Sequence, residues 1–167
     1  RHFDIEDGLG GASTIKSGGL VFNADLAELG DGTVAAVWED WTTTPRLGYA
    51  ESVAGAGFSP YSILPTISGG DVKWPNITAQ GTGPEGGAVI TYYHASTKQQ
   101  QFLFDSGGGF GPDTYMGSKG NNEYTAQFDT QTYGVDGSVY RFWGEGTGDG
   151  NYSIRYRRFD PATETWG

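Results

Sequence analysis

The chain has 167 residues, 36% of them hydrophobic, which is enough for one sizeable domain and short for two. It contains no cysteine, so disulfides and thiolate metal sites are excluded. Twenty acidic residues against ten basic ones give a formal net charge of −10, which argues against binding to nucleic-acid phosphates or to an anionic membrane surface. No apolar run approaches the roughly 20 residues of a transmembrane helix, so none is predicted.

The pattern of short apolar runs separated by glycines predicts strands and no helix. Glycine occurs 29 times, and an aromatic content of 14% indicates turn punctuation rather than disorder. In chain order, strands are predicted at residues 11–16, 24–29, 33–39, 46–51, 61–67, 75–80, 88–94, 99–105, 114–117, 124–129, 138–143 and 153–160.

One strand pattern occurs three times along the chain. A glycine is followed six residues later by an aromatic residue at Gly32 and Trp38, at Gly87 and Tyr93, and again at positions 137 and 143. The glycines lie 55 and 50 residues apart. A repeat of this length indicates units that cannot bury their own faces and stack on their neighbours.

The two ends of the chain share the same motif. Phe3-Asp4, preceded by two basic residues, matches Phe159-Asp160 at a shift of 156 residues, or three repeats. We therefore divide the single partial domain into the end of a preceding unit (1–17), two whole units (18–68 and 69–118) and a unit without a full outer strand (119–167). The incomplete first unit and the incomplete last unit complement each other. They predict head-to-tail closure, either by a second chain as a homodimer or by flanking sequence.

Residues 32–40, followed by 48–52, resemble the sialidase-like β-propellers, whose Asp-box turn has the form Ser-x-Asp-x-Gly-x-Thr-Trp. Ser52 and Phe58 fit this turn, Ala54 occupies the aspartate position, and Thr165-Trp166 keeps the end of the motif. The resemblance implies an all-β fold of propeller blades, each with four antiparallel strands. About three blades would form a half-ring or a fragment of a ring of six or more blades.

The resemblance also implies a ligand face around the central channel, where first strands begin and second strands end. The candidate ligand-binding residues there are Asp25, Trp38, Glu39, Asp40, Asn76, Tyr93, His94, Trp143 and Glu145, with Thr125 as a further first-strand position. Carboxylates accept hydrogen bonds from sugar hydroxyls, and aromatic rings cover the apolar face of a pyranose. The alternative is that the three aromatic residues pack between blades, that the acids lie in solvated loops, and that His94 is ordinary surface.

The sequence lacks the catalytic features that the resemblance would require. Sialidases use an arginine cluster and an Arg-Ile-Pro motif, and no Arg-Ile-Pro occurs here. Strand alternation predicts that Arg155 and Arg157 point one way and Arg158 the other, which is not a three-arginine clamp. No Asp-Gly pair belongs to a calcium loop with its terminal glutamate, so no metal, cofactor or catalytic residue is predicted.

Three functions are compatible with these residues. The first is a non-catalytic extracellular or surface-displayed propeller module that binds a glycan or a surface partner through its channel face. The second is a fragment of a sialidase-like glycoside hydrolase whose catalytic residues lie outside the chain. The third is a structural repeat of a large surface protein, in which open blade edges serve assembly.

Overall fold

The protein is described from a computed structural model. It describes residues 3–4, 8–9, 14–53, 57–66, 70–80, 87–105, 108–119, 130–134, 137–146 and 152–167. The regular elements in these ranges are all β-strands, and no helix occurs among them. The predicted all-β class is therefore confirmed.

The strands form one short hairpin and three larger sheets. The hairpin is β1 (Phe3–Asp4) and β2 (Gly8–Leu9). The first sheet contains β3 (Val21–Glu28), β4 (Val34–Asp40), β5 (Arg46–Val53), β6 (Gly57–Phe58) and β7 (Ser62–Ile63). The second sheet contains β8 (Val72–Gln80), β9 (Gly87–His94), β10 (Gln99–Asp105) and β11 (Thr114–Lys119). The third sheet contains β12 (Thr130–Tyr133), β13 (Val139–Gly146), β14 (Tyr152–Asp160) and β15 (Thr165–Trp166).

Each of the three sheets is an antiparallel meander in which strands follow one another in chain order. In the first sheet both short strands, β6 and β7, pair with β5. None of the described sheets closes on itself. Tight turns explain this topology: Gly32 and Gly137 have φ angles of 83° and 84°, and each ends a turn joining a first strand to a second.

Most predicted strands are present, and the differences lie mainly at strand ends. The second and third strands of every unit are found within three residues of their predicted limits. The predicted strand 61–67 is reduced to Ser62–Ile63, and residues 14–16 are not a strand. The prediction for 124–129 lies outside the described residues, as does that for 11–13; the first strand of the third sheet is Thr130–Tyr133.

The sheets stack face to face, and the second sheet packs against a neighbouring sheet on both of its faces. We call the face toward the next sheet along the chain downstream and the opposite face upstream. The downstream face of the first sheet (Ala35, Val37, Leu47 and Tyr49) packs on the upstream face of the second (Ile90, Tyr92 and Leu103). The downstream face of the second sheet (Val89, Phe102 and Phe104) packs on the upstream face of the third (Val139, Phe159 and Trp166). The same relation therefore occurs twice.

The first strands of the three sheets are neighbours. Strand β8 contacts both β3 and β12, so the three first strands lie side by side. The upstream face of the first sheet carries Ala36, Trp38 and Ala50, which Ile15 and Phe58 cover. The downstream face of the third sheet carries Tyr140, Phe142, Ile154, Tyr156 and Arg158 by strand alternation.

The sequence repeat is displaced by one residue in the second sheet. Val37 lies opposite Asp25 and Thr91 lies opposite Asn76, in each case the first pair after a bulge in the first strand. The structural equivalent of Trp38 is therefore Tyr92 and not Tyr93. The reason is that Gly87 lies inside β9, paired with Gln80, and does not occupy the turn position of Gly32.

Candidate functional site

The first strands of the first two sheets begin with the same irregularity. The ladder register shifts between Phe22 and Asp25 in β3, and between Lys73 and Asn76 in β8. Within these bulges, Asn23 and Trp74 have φ angles of 46° and 48°. Asparagine tolerates this left-handed conformation, whereas a tryptophan in it is uncommon. A bulge re-aims the residues around it, and here it carries the Trp74 backbone amide toward the end of β4.

Glu39, near the end of β4, is the centre of the resulting contacts. Its Oε1 accepts hydrogen bonds from Asn23 Nδ2 and from the Trp74 backbone N, the latter at 2.7 Å. Its Oε2 accepts one from Trp41 Nε1 at 2.8 Å. The side chain is buried, so these charge-assisted bonds offset the loss of water around the carboxylate. Glu39 thereby ties β3, β4 and β8 together.

Aromatic rings lie around this carboxylate at the same end of the sheets. Phe22 and Trp41 are in edge contact at 5.6 Å between ring centroids, and Lys73 Nζ lies 3.9 Å from the centroid of Trp41. The Trp74 ring lies 5.7 Å from that of Tyr93, which is buried. Phe22 is exposed, and Trp41, Lys73 and Trp74 are half-buried. We call these four residues the aromatic rim.

Asp25 and Asn76 occupy equivalent positions in β3 and β8. Asp25 Oδ2 accepts a hydrogen bond from the Ile77 backbone N at 3.0 Å, which joins the first strands of neighbouring sheets. Asn76 Nδ2 donates to the Trp74 carbonyl at 3.2 Å, inside the bulge. Together with Glu39 and Tyr93, these two predicted site residues therefore surround the start of β8.

Asp40 points to the other side of β4 from Glu39. Its carboxylate accepts a hydrogen bond from Lys16 Nζ at 2.6 Å and further bonds from the backbone N and Oγ1 of Thr42. Burial raises the pKa of Asp40, but the bonds from Lys16 and Thr42 and the Lys16 charge outweigh it, so the pKa lies below its ordinary value. Asp40 holds the segment that precedes β3 against the first sheet.

This geometry predicts a stability difference that depends on pH. Because the folded-state pKa of Asp40 is lowered, its contribution is complete above the unfolded-state value of 3.8 and is lost as the pH falls through the folded-state pKa. We expect Asp40→Asn to cost about 2 kcal/mol at neutral pH and much less at about pH 2. Urea unfolding at both pH values measures this, with the exposed Glu28→Gln as control. A penalty that stays constant with pH would contradict the assignment.

The other predicted positions are Trp38, His94, Trp143, Glu145 and Thr125. Trp38 is buried on the upstream face of the first sheet, where its ring lies 5.8 Å from that of Tyr61. His94 pairs with Val72 at the start of β8, next to Tyr93, and is buried with Nδ1 2.7 Å from Thr97 Oγ1. Trp143 is buried opposite Arg155. The Glu145 backbone belongs to β13, but its side chain lies outside the described residues, as does Thr125.

The sequence analysis missed the aromatic rim itself. Its signal is a correspondence between residues 21–26 and 72–77, both of the form Val-x-x-x-Asx-aliphatic at the start of a first strand. Only the third position, Asn23 or Trp74, adopts the left-handed conformation, and no strand pattern indicates that. Trp41 directly follows Glu39-Asp40, outside the alternating part of β4.

Three further features of the described residues concern metal-ligand groups, membrane-spanning helices and the arginine arrangement expected from the sequence. Within the described ranges, no three His, Asp or Glu side chains are grouped so that they could hold a metal ion. Among the same residues, no helix has the length and apolar character to cross a membrane. Arg155 and Arg157 lie opposite Trp143 and Arg141, whereas Arg158 lies opposite Tyr140, as strand alternation predicts. Burial lowers the pKa of Arg141 to about 9.

Comparison with known proteins gives a fold and no family. No protein-family model matches the chain, and no curated protein does. A similar solved structure is that of a protein of unknown function from Dyadobacter fermentans DSM 18053, with a TM-score of 0.60 and 11% sequence identity. The match covers 88% of this chain and 53% of that protein, so the chain spans about half its length. At this identity the likeness concerns the fold alone.

Proposed function

We propose that this chain is a non-catalytic binding module of β-propeller blades, displayed outside the cell, which holds a glycan on its aromatic rim. Two features support the propeller arrangement: each sheet stacks on the next in the same sense, and the first strands β3, β8 and β12 are neighbours. Radial repetition of this kind keeps strand edges short and protected.

The observation that carries the binding proposal is the pair of rings Phe22 and Trp41. Both are partly open to solvent, and the buried carboxylate of Glu39 holds Trp41 in place. Glu39 fixes the Trp41 indole through its Nε1, and Lys73 lies over the Trp41 ring. A pyranose presents an apolar face that an aromatic ring covers, while Lys73 Nζ and the nearby Asn23 amide supply donors for hydroxyl groups. A preorganised surface of this kind favours affinity because few side chains need to be ordered on binding.

The carboxylates near the rim favour binding over catalysis. Glu39 receives three hydrogen bonds from the protein, and Asp25 receives one from the backbone of the next sheet. Glycoside hydrolysis requires two carboxyl groups on either side of the scissile bond, one of which gives or takes a proton. Both carboxylates instead accept hydrogen bonds that connect strands.

A glycan array with variants of the rim tests this proposal. Phe22→Ala removes an exposed ring and leaves all three donors of Glu39 in place, so the fold is expected to persist. We expect affinity for the bound glycan to fall about tenfold, which corresponds to the loss of roughly 1.4 kcal/mol from one stacked ring. Tyr115→Ala, which removes an exposed ring from β11, is the matched control and should not change binding.

Two results would reject the glycan proposal. The first is a folded wild-type protein that binds nothing on a broad array. The second is binding that Phe22→Ala and Tyr115→Ala leave equally intact. Near-ultraviolet circular dichroism shows that the rings remain ordered in each variant, so that neither result is confused with unfolding.

A further inference from the structure

The three sheets bury equivalent aromatic residues to very different extents. Tyr49, Phe102 and Tyr156 occupy the same downstream position, because each pairs with the equivalent residue of its second strand: Val37, Thr91 and Phe142. Tyr49 is 9% exposed and Phe102 5%, because the next sheet covers each of them. Tyr156 is 65% exposed. Among the described residues, therefore, no sheet covers the apolar downstream face of the third sheet.

A second position on the same face repeats this difference. Leu47, Gln100 and Ile154 are equivalent, since they lie two residues before Tyr49, Phe102 and Tyr156 in their third strands. The first two are fully buried, whereas Ile154 is 85% exposed. Two neighbouring apolar side chains are thus presented to solvent where the other sheets have an interface.

The first sheet shows the complementary difference on its upstream face. Leu26 and Ile77 are equivalent, each following the first paired residue after its bulge. Ile77 is 4% exposed because it packs against the first sheet, whereas Leu26 is 66% exposed. The third sheet therefore has an uncovered downstream face, and the first sheet has a partly uncovered upstream face. Faces of these two types pack against each other at both internal interfaces.

The contacts inside the chain also indicate what fills the uncovered face. In both internal interfaces, an aromatic residue just after the third strand packs on the preceding sheet: Phe110 lies 5.1 Å from Tyr49, and Trp166 lies 5.7 Å from Phe102, both with edge geometry. Their equivalent in the first sheet is Phe58, which pairs with Ser52 in β5. A cavity of about 650 Å³ lies beside Tyr156, lined by Tyr140, Tyr156, Arg158, Asp160, Thr165 and Gly167.

We propose that this cavity receives Phe58 of a second copy of the chain, whose first sheet docks on the third sheet of the first copy. The contact is head-to-tail and repeats the packing relation of the two internal interfaces. A second copy satisfies both uncovered faces at once, whereas an unrelated partner would satisfy one. Two copies of the three larger described sheets give six, which is within the usual number for closed radial arrangements, so such a pair would close without forming a filament.

Light scattering on the intact chain is the first test. We expect the folded protein to have twice the mass of one chain at tens of micromolar concentration. Replacing Ile154→Asp and Tyr156→Asp together should give a monomer, because two charges would be buried in an apolar interface. Both side chains are exposed within one chain, so the monomer should stay folded. Tyr115→Asp, on the outer strand of the second sheet, should remain a dimer.

Cysteine cross-linking tests the predicted contact directly, because the chain contains no cysteine of its own. Phe58→Cys and Tyr156→Cys in one chain should form disulfides between two copies under mild oxidation. The control pair, Phe58→Cys with Tyr115→Cys, should not. A monomeric wild-type protein, open-ended polymers, or equal cross-linking in both pairs would overturn the proposal. Because none of these measurements involves a glycan, their failure is separate from failure of the rim to bind one.

Discussion

Replacing Glu39 by alanine is expected to destabilise the protein by about 4 kcal/mol. The substitution removes the acceptor of three hydrogen bonds, from Asn23, Trp41 and the Trp74 backbone, in a buried position. Bonds to a charged group contribute about 1.5–3 kcal/mol each, and part of this is recovered where water reaches the freed donors. Such a loss is a large share of a typical stability of about 5–15 kcal/mol. Urea unfolding followed by tryptophan fluorescence measures it.

Two further variants show whether the hydrogen bonds are responsible. Glu39→Gln keeps the shape and one acceptor oxygen but turns an amide donor toward the existing donors. It should therefore be less stable than wild type and more stable than Glu39→Ala. Glu28→Ala removes a carboxylate from an exposed position of β3 and should change stability by no more than about 0.5 kcal/mol. Equal midpoints for Glu39→Ala and Glu28→Ala would show that the carboxylate does not hold the sheets together.

Several second and third strands were predictable because they are short runs rich in β-branched and aromatic residues between turn signals. Residues 88–94 match β9 to within one residue for this reason. First strands were harder, since a bulge interrupts the alternation and extends β3 and β8 three residues before their predicted starts. The glycine rule failed at Gly87 because a glycine inside a strand and one in a turn look alike in a sequence.

The proximity of three candidate residues was predictable from the sequence, whereas their hydrogen bonds were not. The sequence placed Asp25, Glu39 and Asn76 at one end of the sheets, and the structure brings them around the start of β8. The sequence could not show that Glu39 accepts hydrogen bonds from three different segments, because two of the donors, Asn23 and Trp74, lie in bulges with a left-handed backbone conformation. The strand pattern also does not distinguish the exposed ring of Phe22 from those of Trp38 and Tyr93, which are buried.

Replacing Gly48 by alanine is expected to cost about 3 kcal/mol. Gly48 lies opposite Trp38 across β4 and β5, and the indole ring lies over its Cα. A methyl group at this position would come within 2.3 Å of Trp38 Cε2 and Nε1. The ring has little room to move, because Tyr61 packs against it and Trp38 belongs to a buried cluster that Ile15 and Phe58 cover. Overpacking of this kind costs about 1–3 kcal/mol, and the rigid ring places Gly48 at the upper end.

Two comparisons isolate the steric clash between Gly48→Ala and the Trp38 ring: a control glycine and a variant of Trp38. Gly111→Ala should be nearly neutral, because its added methyl group would meet only the Phe104 carbonyl at 3.8 Å, an ordinary contact. In a Trp38→Leu background, where no indole lies over position 48, Gly48→Ala should cost at least 1 kcal/mol less than it does in wild type, a coupling typical of residues in direct contact. An unchanged cost would mean that the penalty arises in the β5 backbone and not from the ring. Thermal unfolding of wild type, Gly48→Ala, Trp38→Leu and the double variant decides between the two origins. If the ring is responsible, Gly48 is the residue that makes room for the Trp38 indole, because every other residue of β4 and β5 carries a side chain.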